Sequence, residues 1–266
     1  MSTATMPAPR DASSRLVSVL TSLAVEARLL FSTPAVYVAA AVVLAATALS
    51  VVSGVLMAGR SGLPPLGSAA NVSKTLSVAA VSSMTMLVIG IVAMAGEHRH
   101  RTIVWAYLAQ PRRERVLGAK LAVTGLLGGL VGAATFALAL AIAVPLYAAH
   151  GVHQLGVDVA GMWWGATLSG ACYGLLGVAL GALTRNIVAA VIGALAWVQV
   201  VEVGILQNVW PAAAKWLPTG AAVAVTGPSD PGLHLLSPAV AAIVLVGWAG
   251  LICLVAVRIS VGREPR

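Results

Sequence analysis

Long apolar runs broken by short polar turns dominate the pattern along the chain. Six of them, at 35–57, 75–95, 121–147, 162–183, 187–207 and 238–257, approach or exceed the roughly 20 residues that a helix needs to cross a hydrocarbon core about 30 Å thick. The runs are continuous and rich in Leu, Ala, Val and Gly, without the polar alternation of a membrane β-barrel. The expected fold is therefore an all-α integral membrane protein with six transmembrane helices spanning 34–257.

The flanks of these runs add detail. Residues 1–12 read as a disordered cytoplasmic tail and 258–266 as a second tail. Between them and the first run, 13–33 places Leu16, Leu20, Leu23, Ala27 and Leu30 three or four apart, with Arg15, Ser22, Glu26 and Arg28 free to meet water. That pattern fits an amphipathic helix lying in the membrane interface and stopped near Pro34, or a helical extension of the first span. Residues 208–237 mix Trp210 and Trp216 with prolines, glycines and a short apolar patch at 221–225. Tryptophan favours the interface and Pro and Gly break a spanning helix, so short re-entrant helices are expected here, with a plain outer loop as the alternative. Within the spans, Gly125 and Gly129, Gly128 and Gly132, Gly170 and Gly174, and Gly177 and Gly181 form Gly-x-x-x-Gly pairs. Such pairs let backbones approach closely in lipid, within the chain or between subunits.

Composition agrees and narrows the classes. Hydrophobic residues make up 59% and charged residues 9%, against about 25% charged in a soluble domain. The net charge of +8 does not indicate nucleic acid, because the basic residues flank apolar runs. With six spans, 13 of the 16 Lys and Arg fall on the side that holds both termini, which the positive-inside rule places in the cytoplasm of a cell-membrane protein. Cys172 and Cys253 lie inside apolar runs and read as packing residues. No cleavable signal peptide is evident, since the first run is long and starts late.

Charge is concentrated in one place. Eight of the 24 charged residues lie within 96–120, GEHRHRTIVWAYLAQPRRERVLGAK. Thr102 can cap a short helix whose stripe of Ile103, Val104, Tyr107 and Leu108 is interrupted at Pro111, before Arg112, Arg113 and Arg115. An apolar stripe ringed by charge suits docking into a groove of another protein. Glu97, Thr102, Ile103, Leu108, Pro111, Arg113 and Lys120 resemble the first cytoplasmic loop of ABC transporter permeases of the type-II exporter class. Arg101 stands where that family often has Gly, and the Pro-to-Lys spacing is one residue short of the common form. The resemblance implies a coupling helix between spans 2 and 3, with Glu97, Arg101, Thr102, Ile103, Tyr107, Leu108, Pro111, Arg112 and Arg113 meeting a separate cytoplasmic ATPase subunit. It further implies ATP and Mg on that partner and no cofactor here, a second copy or a related permease as the other half, surrounding lipid, and drug, antibiotic or lipid-like cargo. The chain has no phosphate-binding loop of its own, in keeping with that division.

Inside the membrane, Glu202 is the one acidic residue well within a span. An ionised group there costs at least ~2.5 kcal/mol by insertion scales, so it must find partners. Gln199 is expected one turn away on the same face, with Asn208 and Lys215 able to approach from the outer segment. Gln199 and Glu202 either line a substrate pathway that favours a cationic or hydrogen-bonding cargo, or Glu202 bonds the re-entrant segment structurally. Ser77, Ser82, Ser83 and Thr85 form a second polar set that either faces a wet pathway or, the favoured reading, bonds helix backbone. His150 and His153 lack further ligands, so no metal is expected, and no catalytic triad is in prospect. Beside the exporter stands an ATP-independent secondary transporter or a membrane assembly protein. The former would more often carry several intramembrane charges or a repeat.

Overall fold

A computed structural model describes residues 24, 25, 27, 28, 34–60, 63–77, 79–99, 113–227 and 235–262. The described residues are mainly helical, joined by short turns, and contain no strand. The elements in chain order are α1 (Pro34–Leu56), α2 (Ala69–Leu76), α3 (Ala79–Arg99), α4 (Arg113–Ala149), α5 (Val159–Thr184), α6 (Ile187–Val209), α7 (Pro211–Ala214), α8 (Pro218–Val225) and α9 (Pro238–Gly262). Five of them, α1, α4, α5, α6 and α9, are long and apolar enough to cross a membrane, while the apolar part of α3, Ser82–Gly96, is shorter.

Helix α5 is the hub. In its most apolar stretch 67% of residues are buried, against 17% to 39% in the other four long helices, because α3, α4 and α9 all pack on it. Glycine makes the closest approaches. A methyl group added at Gly174 would stand 2.7 Å from the Thr124 carbonyl oxygen of α4, and one at Gly90 would stand 2.6 Å from the Gly174 carbonyl oxygen. Gly128 and Gly170 face each other's backbone, Gly132 faces Ala166, Gly177 faces Leu87 and Gly181 faces Ile91. Residues rising along α5 thus meet falling numbers in α4 and rising numbers in α3, so α4 runs antiparallel and α3 parallel to the hub. Of the glycines expected to pack helices, Gly170 and Gly174 lie in these backbone seams. Gly125 and Gly129 lie beside them, facing the side chains of Leu175 and Thr167. The Gly-x-x-x-Gly pairs are spent inside the chain, where lipid supplies no hydrophobic drive and close backbone packing replaces it.

The run expected at 75–95 divides. Ser68 caps α2 through the Asn71 N–H (3.2 Å), α2 ends at Leu76, and α3 starts separately at Ala79. Helix α2 is polar in sequence yet buried, because Tyr147 of α4 donates to Asn71 Oδ1 (2.7 Å) and lies 3.2 Å from Thr75 Oγ1. The Asn71 amide in turn donates to the Gly54 carbonyl of α1 (3.3 Å). Of the serine and threonine set expected in one span, Ser77 ends α2, while Ser82 and Ser83 are buried in α3.

Helix α4 has 37 residues, about 55 Å at 1.5 Å per residue, and so outreaches a hydrocarbon core. Its start incorporates the end of the charged stretch, with Lys120 inside the helix and buried. The first residues of that stretch, 96–99, end α3, and 100–112 fall outside what is described, including Arg101, Thr102, Ile103, Tyr107, Leu108, Pro111 and Arg112, as do the side chains of Glu97 and Arg113. The interfacial helix at 13–33 also lies outside it, apart from four helical residues between Ala24 and Arg28, as does the tail at 1–12.

Candidate functional site

Helices α5 and α6 form a hairpin joined only by Arg185 and Asn186. Arg185 adopts a left-handed conformation (φ 54°) and Asn186 caps α6 through the Ala189 N–H (3.2 Å). The first turns of α6 are α-helical, but Trp197–Leu206 winds as a π-helix. In an α-helix residues five apart lie about 140° apart around the axis; the wider π turn bonds each residue to the fifth along and brings such pairs together. Here it lets the Trp197 indole N–H donate to Glu202 Oε1 (2.7 Å).

The other carboxylate oxygen reaches a different element. Glu202 Oε2 accepts the backbone N–H of Thr219 (3.0 Å) at the start of α8. Helix α8 opens with Pro218 in its first turn, and its N-cap residue Leu217 makes no side-chain cap. A helix start has orphan N–H donors and partial positive charge, so Glu202 serves α8 as an N-cap supplied by another helix. The Tyr173 hydroxyl of α5 lies 3.3 Å from Thr219 Oγ1 and ties the same turn to the hub. One N–H donor on each oxygen satisfies a carboxylate that is only 2% exposed. No ion pair to Glu202 forms among the described residues.

Next to this junction is a cavity of about 440 Å³, within the range of small-molecule sites. Glu202, Tyr173, Trp197 and Trp248 line one end of it, and Ala189, Leu180 and Thr184 the other, with Gly193 between. Trp248 of α9 is held by donating its indole N–H to the Trp216 carbonyl (2.9 Å). Between Ala189 and Trp197 the α-helical part of α6 that lines the slot rises about 12 Å.

The residues expected here divide. Glu202 is buried, hydrogen-bonded and at the cavity, and the bond to the segment after α6 is present. Gln199 does not share its face: it is exposed and outside the cavity lining, because the π winding rotates it away. Asn208 does not approach Glu202 either, since its amide donates to the Gly204 (2.9 Å) and Val203 (3.3 Å) carbonyls. Trp197 and Thr219 bond Glu202 in place of Gln199, Asn208 and Lys215, and Tyr173 supports them through Thr219. The five-residue spacing of Trp197 and Glu202 was the available signal, but it has meaning only in a π-helix. Among the described residues no cluster of His, Cys, Asp and Glu could hold a metal, and His150 bonds the Leu146 carbonyl (2.8 Å).

These features fit a multi-pass helical membrane protein with a cavity between its helices. No protein-family model matches the chain, and no curated protein matches it significantly.

Proposed function

We propose that the chain is the transmembrane permease subunit of an ATP-driven exporter that moves amphipathic small molecules out of the cytoplasm or inner leaflet. The cavity beside Glu202 carries this reading: a slot between helices, largely apolar and ending in a buried carboxylate, suits a molecule with a long apolar body and one polar end. In this reading α3 is a sixth crossing, running parallel to α5, both termini are cytoplasmic, and α7 and α8 are re-entrant from the outer side. Four exposed tryptophans, Trp163, Trp164, Trp210 and Trp216, then sit at the outer interface, while Trp197 is exposed midway along α6.

ATP coupling rests on the resemblance of Glu97, Thr102, Ile103, Leu108, Pro111, Arg113 and Lys120 to the exporter loop. ATP and Mg belong to a cytoplasmic ATPase subunit docked there, and two permease halves enclose the pathway. The test is purification of the complex. An ATPase should accompany the tagged chain and leave with Tyr107→Asp or Leu108→Asp, while thermal unfolding of the chain stays unchanged. If no ATPase accompanies the wild-type chain, the exporter reading falls.

A further inference from the structure

We infer that the slot is a binding site for a single-tailed quaternary ammonium amphiphile, its cationic head at the Glu202 end and its tail running along α6 toward Thr184. The inference rests on the reading of this cavity as the substrate site, though not on ATP coupling. Three observations carry it. The first is charge. Each Glu202 oxygen already accepts one N–H, yet neither donor is a cation and no ion pair forms among the described residues. Both oxygens have their hydrogen bonds and neither donor brings charge, which favours a ligand that carries positive charge without needing N–H bonds of its own.

The second is the wall around that carboxylate. Tyr173, Trp197 and Trp248 line the same end of the cavity, and each is tethered: Tyr173 to Thr219, Trp197 to Glu202 itself and Trp248 to the Trp216 carbonyl. Aromatic residues lining the cavity beside a carboxylate and held by their polar ends suit an alkylated ammonium, whose diffuse charge is attracted to ring faces. The third is the remainder of the slot. Away from Glu202 it is lined by Leu176, Leu180, Ala190, Gly193 and Ile252, and a methyl group added at Gly193 would meet nothing within 4 Å. That is space for an alkyl tail.

Binding is measured on the full-length chain in maltoside micelles by titration calorimetry, with empty micelles subtracted. Dodecyltrimethylammonium should bind about tenfold or more tightly than dodecanol, and Glu202→Gln should abolish that preference. Gly193→Trp, which fills the slot away from the carboxylate, should weaken dodecyltrimethylammonium but not butyltrimethylammonium. Equal binding of dodecyltrimethylammonium and dodecanol by the wild type, or dodecyltrimethylammonium binding unchanged in Gly193→Trp, would overturn the proposal, and the second holds even where Glu202→Gln does not fold. Lysophosphatidylcholine separates the sources: binding as tight as dodecyltrimethylammonium assigns the site to a lipid head group of this chemistry, weaker binding to a free cation. Because the chain is tested alone, absence of an ATPase partner would remove the exporter reading and leave this result standing.

Discussion

The two sides of α5 are built on opposite principles. Toward α3 and α4 the hub closes backbone to backbone through Gly90, Gly128, Gly132, Gly170, Gly174, Gly177 and Gly181, leaving no room for a methyl group. Toward α6 and α9 it leaves a cavity of about 440 Å³, with the junction beside it held by hydrogen bonds from Trp197, Thr219 and Trp248, while Gly165 repeats the close backbone approach against Val225 of α8. In lipid both are answers to one problem, since burying a leucine against another helix gains little over leaving it against acyl chains. Small residues answer by dispersion over a long seam and polar residues by a few directional bonds. The first forms a rigid base; the second leaves space that a ligand can occupy.

The contrast can be broken most severely at the glycine seam. Gly128→Leu or Gly177→Leu should destabilise by about 3 kcal/mol or more, because the obstacle is backbone that cannot swing aside, whereas Gly193→Leu should stay within about 0.5 kcal/mol; thermal unfolding in maltoside micelles compares them. Next comes Glu202→Ala, which orphans both the Thr219 N–H and the Trp197 indole N–H and should cost about 2–4 kcal/mol. Glu202→Gln keeps one accepting oxygen and should recover roughly half of that, so equal losses in the two variants would contradict the capping role. Tyr147→Phe should cost about 1 kcal/mol by freeing Asn71 and Thr75, seen as a lower melting temperature and faster amide exchange in α2. The smallest effect is expected of Trp248→Phe, about 0.5 kcal/mol, since its bond to Trp216 is exposed; its larger consequence should be in ligand binding.

Much of the helical layout was legible as uninterrupted apolar runs: α1, α5, α6 and α9 begin and end within a few residues of the expected spans. The separate α2 was not, because its buried Asn71 and Thr75 look like solvent-facing residues until Tyr147 arrives from 76 positions away. The glycine spacing announced close packing but not its partners, since a small residue fits any helix that comes near. At the site, the cost of burying Glu202 was readable from its apolar neighbourhood, and so was a bond to the segment that follows. The identity of its partners was not, because it depends on a local departure from 3.6 residues per turn that apolar patterning does not encode. The charged stretch at 96–120 is the reverse case, rich in sequence signal and mostly outside the described residues.

The π winding of Trp197–Leu206 has a consequence for how this chain tolerates changes in length. A π segment behaves as though an α-helix had been given a surplus residue and had absorbed it as a local bulge. Deleting Val200 should therefore let the helix relax to ordinary α geometry with its downstream end still joined to α7, while the Trp197 and Glu202 side chains come to lie four apart instead of five. The rarer winding is thus a spare residue held in reserve, and the carboxylate beneath α8 is aimed by a counting irregularity as much as by its own chemistry.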